Sequence, residues 1–156
     1  MTPNKAEHEL SITRLIDAPR EAVWRAWTER LTEWWAPKPW TTEIIELDLR
    51  PGGRSAMIMR GPNGEEMPNE GVILEVVPQE SVVFTDAFTV GWIPQTPFMV
   101  GFFRLEDEGG KTRYTAGARH WTAEALKQHE AMGFTEGWGA VAAQLEEVVK
   151  DMVARA

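Results

Sequence analysis

The C-terminal part of the chain carries one apolar stripe at helical spacing, and this stripe limits the possible folds more than any other feature. Six large apolar residues recur at intervals of four, three, four, three and four: Phe134, Trp138, Val141, Leu145, Val148 and Met152. The spacing predicts one helix of about five turns with a single apolar face. Such a face has to be buried against another element of similar size.

Strand-like stretches between Thr41 and Trp121 predict that element, a β-sheet. Six stretches are rich in β-branched, aromatic or alternating apolar residues, and they occupy 41–49, 54–60, 68–77, 81–88, 98–107 and 111–121. Turn signals such as "RPGG" and "GPNG" separate them, so their spacing favours an antiparallel meander. A proline-containing loop is expected over 89–97.

The N-terminal part predicts one strand followed by short helices. Residues 7–17 alternate in polarity, as a strand with one buried face does. Residues 18–30 predict a short amphipathic helix, and a second helical turn is expected over 32–35, before Pro37 stops it. A further short helix is expected to begin at Thr122, a suitable N-cap.

Length, charge and composition exclude several classes of protein. The 156 residues suit a single domain, 1–156. The chain has no cysteine, which excludes disulfides and thiol catalysis and favours the cytoplasm. Its 24 acidic and 16 basic residues give a formal charge of −8, which disfavours nucleic-acid binding. No apolar run is long enough to cross a bilayer, so no membrane insertion is expected.

Motifs for metal, phosphate or nucleophilic chemistry are missing from the sequence. His8, His120 and His129 have neither helical i, i+4 spacing nor an HExxH motif, so we expect no metal site. No serine lies in a GxSxG elbow, and no glycine-rich turn precedes a helix as a phosphate cradle would. We therefore expect no cofactor.

The order of strand, two short helices, six strands and long helix resembles the helix-grip fold of the START-like, Bet v 1-like (SRPBCC) superfamily. Within it, the chain is most similar to the group named for the activator of the heat-shock-protein-90 ATPase. The resemblance lies in "ITRLIDAPREAVWRAWTE" followed by "WWAP", in "LRPGGRSAMIM", "GPNGE" and "GVILEVVPQESVVFTD", and in "GGKTRYT" and "MGFTEGWGAVAAQLEEVV". It implies an α+β fold in which a curved, antiparallel, seven-stranded sheet wraps the C-terminal helix.

The resemblance also implies a cavity between the sheet and that helix, which assigns a role to the tryptophans of 31–42. Neighbouring residues on a helical turn point about 100° apart, so Trp34 and Trp35 cannot face the same way. One is expected in the core and the other at the cavity mouth. The candidate cavity-lining residues are Trp35, Trp40, Met57, Met59, Phe84, Asp86, Phe103, Tyr114, His120, Phe134, Trp138 and Val141. Packing of the core explains most of them equally well.

The inward face of one predicted strand stays open between two alternatives. In the stretch "MVGFFRL", Met99, Phe103 and Leu105 are predicted to point inward, and Phe98 with Phe102 are the alternative.

Three polar residues share the parity of apolar neighbours, namely Arg14, Asp86 and His120. An Arg–Asp pair inside the cavity would satisfy both charges, whereas at the ends of strands such side chains reach water. We favour solvent for Arg14 and leave both readings open for Asp86 and His120. The superfamily resemblance implies that an aromatic residue is common near this position, so Asp86 would make this pocket more polar.

The residue set indicates a class of function and no specific ligand or reaction. We expect a cytoplasmic protein, monomer or homodimer, that binds a small apolar or aromatic molecule in the cavity. A cyclase- or aromatase-like enzyme is the first alternative, with His120, Asp86, Tyr114 or Glu70 moving protons. A stress-related or co-chaperone-like interaction module is the second, although the separate partner-binding domain of the co-chaperone has no counterpart in these residues.

Overall fold

The structure is a computed structural model that describes residues 7–155. The two ends of the predicted domain, residues 1–6 and residue 156, lie outside this range. The elements follow in the order β1 (Glu9–Ile16), α1 (Arg20–Glu29), a 3-10 turn (Leu31–Glu33), β2 (Thr41–Leu47), β3 (Arg54–Arg60), β4 (Glu66–Val77), β5 (Ser81–Thr85), β6 (Phe88–Thr89), β7 (Ile93–Pro94), β8 (Val100–Glu108), β9 (Lys111–Arg119), α2 (Ala123–Ala131) and α3 (Phe134–Ala154).

Seven strands form one antiparallel sheet in the order β1-β9-β8-β5-β4-β3-β2. The pairing slips by one residue between Ile44 and Glu46 in β2, and again between Ile73 and Glu75 in β4. Such bulges bend a strand and increase its twist, which helps the sheet to curve. The long helix α3 contacts β1 and α1. The helix-grip fold predicted from the sequence is therefore confirmed.

The stretch predicted as one strand over 81–88 is interrupted after Thr85. The Thr85 hydroxyl donates to the carbonyl of Met99 at 2.9 Å and accepts the N–H of Ala87 at 3.1 Å. These bonds turn the chain out of the sheet. The predicted loop that follows contains a small hairpin of β6 and β7, in which Phe88 and Trp92 meet edge to face at 5.9 Å. Gly91 has a φ of 89°, a value that glycine adopts without strain.

The structure decides which face of β8 is inward. Phe103 and Leu105 belong to the buried core. Phe102 lies on the opposite face, where the guanidinium groups of Arg104 and Arg119 cover its ring at 5.0 and 4.6 Å. The ring also lies against Gly117, so its burial comes from this glycine and the two arginine side chains and not from the core.

Arg14 reaches from β1 to α3, where its Nη2 lies 2.9 Å from Oε1 of Glu146. The side chain is 41 % exposed, so it lies at the edge of the core and does not pair with Asp86. No helix among residues 7–155 combines the length and the hydropathy that crossing a bilayer requires.

Candidate functional site

A cavity of about 350 Å³ lies between the sheet and the N-terminal half of α3. Most of its wall is apolar, and the residues come from five strands, from α2, α3 and their junction, and from the segments next to β2, β5 and β8. They are Trp35, Pro37, Ser55, Met57, Met59, Met67, Asn69, Glu70, Gly71, Phe84, Thr85, Asp86, Phe98, Met99, Phe103, Tyr114, Ala116, His129, Met132, Gly133, Phe134, Gly137, Trp138 and Val141.

The predicted set is largely brought together on this wall. Ten of its members line the cavity, namely Trp35, Met57, Met59, Phe84, Asp86, Phe103, Tyr114, Phe134, Trp138 and Val141. Whether they bind a ligand stays a prediction. Trp40 and His120 are not among the lining residues.

Trp40 packs beside Gly61, so close that a Cβ on that glycine would lie 2.9 Å from the indole. The backbone N–H of Trp40 bonds to Pro37 O at 3.0 Å, which fixes the turn that carries the ring away from the cavity. The glycine leaves room for the ring against the β3–β4 hairpin, and the polarity of the segment gave no sign of this.

Aromatic rings form a continuous layer with Phe103 at its centre. Phe103 stacks on Phe84 with centroids 5.7 Å apart, on Tyr114 at 5.9 Å and on Trp138 at 6.2 Å. Trp35 joins the layer at 5.5 Å from Phe103. Because these five rings come from three strands, α3 and the segment before β2, they present a broad apolar surface to the cavity.

Tyr114 places a hydroxyl in this layer. The residue is 1 % exposed, and no residue in the described part of the chain hydrogen-bonds its hydroxyl. Burial raises the pKa of Tyr114 well above that of a free phenol, because the phenolate would lose its hydration. Tyr114 is therefore a neutral phenol that can donate or accept a hydrogen bond.

Asp86 lines the cavity, but its carboxylate has a structural task. Its Oδ1 accepts the backbone N–H groups of Phe98 at 2.9 Å and Met99 at 3.2 Å. These bonds hold the chain that enters β8. Phe98 and Met99 precede the regular strand and do not follow its alternation of faces. Both therefore line the cavity.

His120 lies behind the cavity wall and bonds to His129, which lines it. Nε2 of His120 is 2.9 Å from Nδ1 of His129, and both residues are only 7 % exposed. Nδ1 of His120 faces the backbone carbonyl of His8 at 3.3 Å. Burial, and then the neighbouring His120, lower the pKa of His129 from 6.5 to about 4. Burial also lowers the pKa of His120. Both rings are neutral at pH 7.

Glu70, Asp86 and Tyr114 line the same cavity, but no two of the four candidates for moving protons, which include His120, are hydrogen-bonded to each other in the described range. His120 bonds to His129, Asp86 holds backbone groups, Tyr114 has no partner in the described range, and Glu70 pairs on the exposed rim with Arg54 at 3.3 Å. Among residues 7–155, no three His, Cys, Asp or Glu side chains are arranged to hold a metal ion.

His129 and Phe98 are the site residues that sequence reasoning ranked too low. His129 is the buried residue of α2 and lies three positions after the half-buried Leu126. That helical spacing was a usable signal, because i and i+3 share a face. For Phe98 no signal existed, since its orientation depends on the distant carboxylate of Asp86.

The family model described as "Activator of Hsp90 ATPase homolog 1-like protein" matches residues 17–150. A search of curated proteins gives no match. Among solved structures, protein NE0264 from Nitrosomonas europaea is 40 % identical, with a TM-score of 0.90, over 97 % of this chain and 99 % of that one. Protein Ms6760 from Mycobacterium smegmatis is 28 % identical, with a TM-score of 0.76, over 93 % and 95 %.

A third structure, the AHSA1 (SPO3351) protein from Silicibacter pomeroyi, shares the fold at 22 % identity and a TM-score of 0.67, over 95 % of this chain and 99 % of that one. The family model covers most of the chain: its limits enclose α1, α2, most of α3 and every strand of the large sheet except β1. The chain belongs to the family of Activator of Hsp90 ATPase homolog 1-like proteins.

Proposed function

We propose that this chain is a cytoplasmic, single-domain binding protein for a small, uncharged, apolar or aromatic molecule. The observation that carries the proposal is the cavity of about 350 Å³ with its layer of aromatic rings around Phe103. Its volume lies within the range of pockets that hold small organic molecules. A flat ligand would gain both burial and ring contacts there.

The charges around the cavity support an uncharged ligand. The carboxylate of Asp86 is engaged by two backbone N–H groups, and that of Glu70 pairs with Arg54. Within the described range, 7–155, no lysine or arginine lines the cavity wall. An anionic ligand would therefore lose its hydration without gaining a positively charged partner, and a cationic ligand would meet only carboxylates that already have partners.

The entrance lies on one side of the cavity. Met67, Asn69 and Glu70 on β4 are exposed, and Met132 at the α2–α3 junction is 61 % exposed. A ligand would enter between these two segments. Methionines on both sides of the entrance suit this role, because their flexible side chains adapt to different shapes.

Two glycines of α3 provide a matched test. Gly137 lines the cavity, and a Cβ built on it meets no atom within 4 Å; the same space is open at Gly139, which does not line the cavity. The first atom of a new side chain therefore fits at both positions. We expect the side chain of Gly137→Leu to extend into the cavity and that of Gly139→Leu to leave it open. Both substitutions add a similar helix propensity.

The measurement is a titration with N-phenyl-1-naphthylamine, an uncharged fluorophore that brightens in apolar surroundings. We expect saturable binding at one site per chain, unchanged by Gly139→Leu and weakened at least tenfold by Gly137→Leu. Equal binding by both variants would place the probe outside the cavity, and the proposal would then be wrong. Absence of binding to the unmodified protein would also count against it.

A further inference from the structure

The buried histidine pair fixes the positions of its own hydrogens. The carbonyl oxygen of His8, which also accepts the backbone N–H of His120 at 2.8 Å, can only accept, so its 3.3 Å contact with Nδ1 of His120 assigns the hydrogen of that ring to Nδ1. The Nε2 atom of neutral His120 is then an acceptor. Nδ1 of His129, 2.9 Å away, must donate to it. The remaining nitrogen, Nε2 of neutral His129, is consequently a bare acceptor.

No side chain among residues 7–155 uses this acceptor. The neighbours of the His129 ring are aromatic, with Phe98 at 4.8 Å, Phe134 at 5.0 Å and Trp138 at 6.0 Å between centroids. None of the described residues hydrogen-bonds Nε2 of His129. In that same range, only two side-chain polar atoms are both fully buried and without a partner, Trp27 Nε1 and Thr42 Oγ1. Nε2 of His129 also has no partner but is not one of these two, so the atom is not fully enclosed by protein. Because His129 lines the cavity, we assign this open space to the cavity.

We propose that the cavity selects ligands that donate a hydrogen bond, such as a phenol or another aromatic hydroxyl compound, and that Nε2 of His129 accepts this bond. The inference rests on the function proposed above and names its ligand class. An acceptor held in an aromatic enclosure favours a neutral donor, because a buried polar atom without a partner costs free energy. An ionised ligand carboxylate has no hydrogen to donate, so its oxygen lone pairs would face the lone pair of His129 Nε2 and be repelled.

Three probes of similar size separate the contributions. 2-Naphthol can donate through its hydroxyl, 2-methoxynaphthalene carries an oxygen that cannot donate, and naphthalene has no polar group. We expect the protein to bind 2-naphthol about five- to tenfold more tightly than the other two, as measured by calorimetric titration at pH 7. The preference should disappear in His129→Phe, which retains an aromatic ring but no acceptor.

The matched control is His8→Phe, the same substitution at a histidine whose side chain does not line the cavity and whose backbone carbonyl is retained. It should keep the preference for 2-naphthol. Equal binding of all three probes to the unmodified protein would overturn the inference and leave the binding function intact. A preference that survives in His129→Phe would also overturn it and would show that another polar residue of the cavity wall, such as Tyr114 or Asp86, binds the hydroxyl. If none of the three binds, the proposed function itself is wrong.

A second measurement does not depend on the folding of a variant. Nitrogen-15 NMR of the imidazole rings in the unmodified protein distinguishes the two tautomers of neutral histidine. We expect the hydrogen on Nδ1 in both His120 and His129, and we expect 2-naphthol to shift the signal of His129 Nε2 as it accepts a hydrogen bond. A hydrogen found on Nε2 of His129 would overturn the inference.

Discussion

The two halves of α3 belong to one continuous apolar stripe but have different surroundings. In the C-terminal half, Leu145 and Val149 are 0 % exposed and pack within the core beside α1. In the N-terminal half, Trp138 and Val141 line the cavity. The helical pattern is the same in both. What differs is the facing surface: α1 fills the space on one side, and nothing in the described chain fills it on the other.

The same division separates two adjacent tryptophans. Trp34 is 0 % exposed, and its Nε1 donates to the carbonyl of Ala26 at 3.1 Å. Trp35 is half-buried, touches Phe84 and Phe103 and lines the cavity. An aromatic side chain can therefore fill the core or form a binding wall, and its partners decide which. The contrast leads to three predictions about stability.

The largest difference is expected between Trp34→Ala and Trp35→Ala. Trp34→Ala leaves a large hole in the packed half and removes the bond to Ala26, so we expect a loss of about 3–5 kcal/mol in the free energy of unfolding. Trp35→Ala enlarges a cavity that already exists, and the expected loss is about 1–2 kcal/mol. Urea denaturation measures both. Similar losses for the two variants would contradict a division between a packed half and an open half.

Acid should weaken the open half before the packed one. The pKa of His129 falls from 6.5 to about 4 on folding, so the unfolded chain binds more protons as the pH drops below 6.5. The contacts of the ring are His120, whose pKa is also lowered, and uncharged aromatic rings. Stability present above pH 6.5 is therefore lost towards pH 4, with about 2 kcal/mol gone between pH 7 and pH 5.

The ion pairs beside the packed, C-terminal half of α3 weaken only at lower pH. Arg30 lowers the pKa of Glu33, and Arg155 followed by Arg30 lowers the pKa of Asp151. Both carboxylates therefore stabilise the fold until the pH falls below their ordinary pKa values of 4.5 and 3.8. Urea denaturation at pH 7, 6 and 5 of the unmodified protein and of His129→Phe separates the two effects. We expect the free energy of unfolding to fall much less between pH 7 and pH 5 in the variant than in the unmodified protein. An equal fall in both proteins would show that His129 does not carry the effect.

The sequence predicted the fold well because each element has a local signature. The stripe from Phe134 to Met152 and the hairpin turns fixed the long helix and the meander without any distant contact. The cavity wall was harder to predict, since it depends on contacts between residues far apart. The turn at Asp86 reorients Phe98, and the partnership of His120 with His129 joins the end of β9 to α2. Neither contact leaves a periodic trace in the sequence.

The smallest effect compares two hydroxyls of β9. Thr112 is 0 % exposed at the packed end, and its Oγ1 donates to the carbonyl of Ala18 at 2.8 Å. Thr112→Val removes this bond and leaves the carbonyl unpaired, so we expect a loss of about 1–2 kcal/mol. Tyr114→Phe removes a hydroxyl that bonds to no described residue, and the change should stay within about 0.5 kcal/mol. Thermal and urea unfolding of the two variants measure the difference. A loss above 1 kcal/mol in Tyr114→Phe would mean that its hydroxyl is held by the fold and does not face an open cavity.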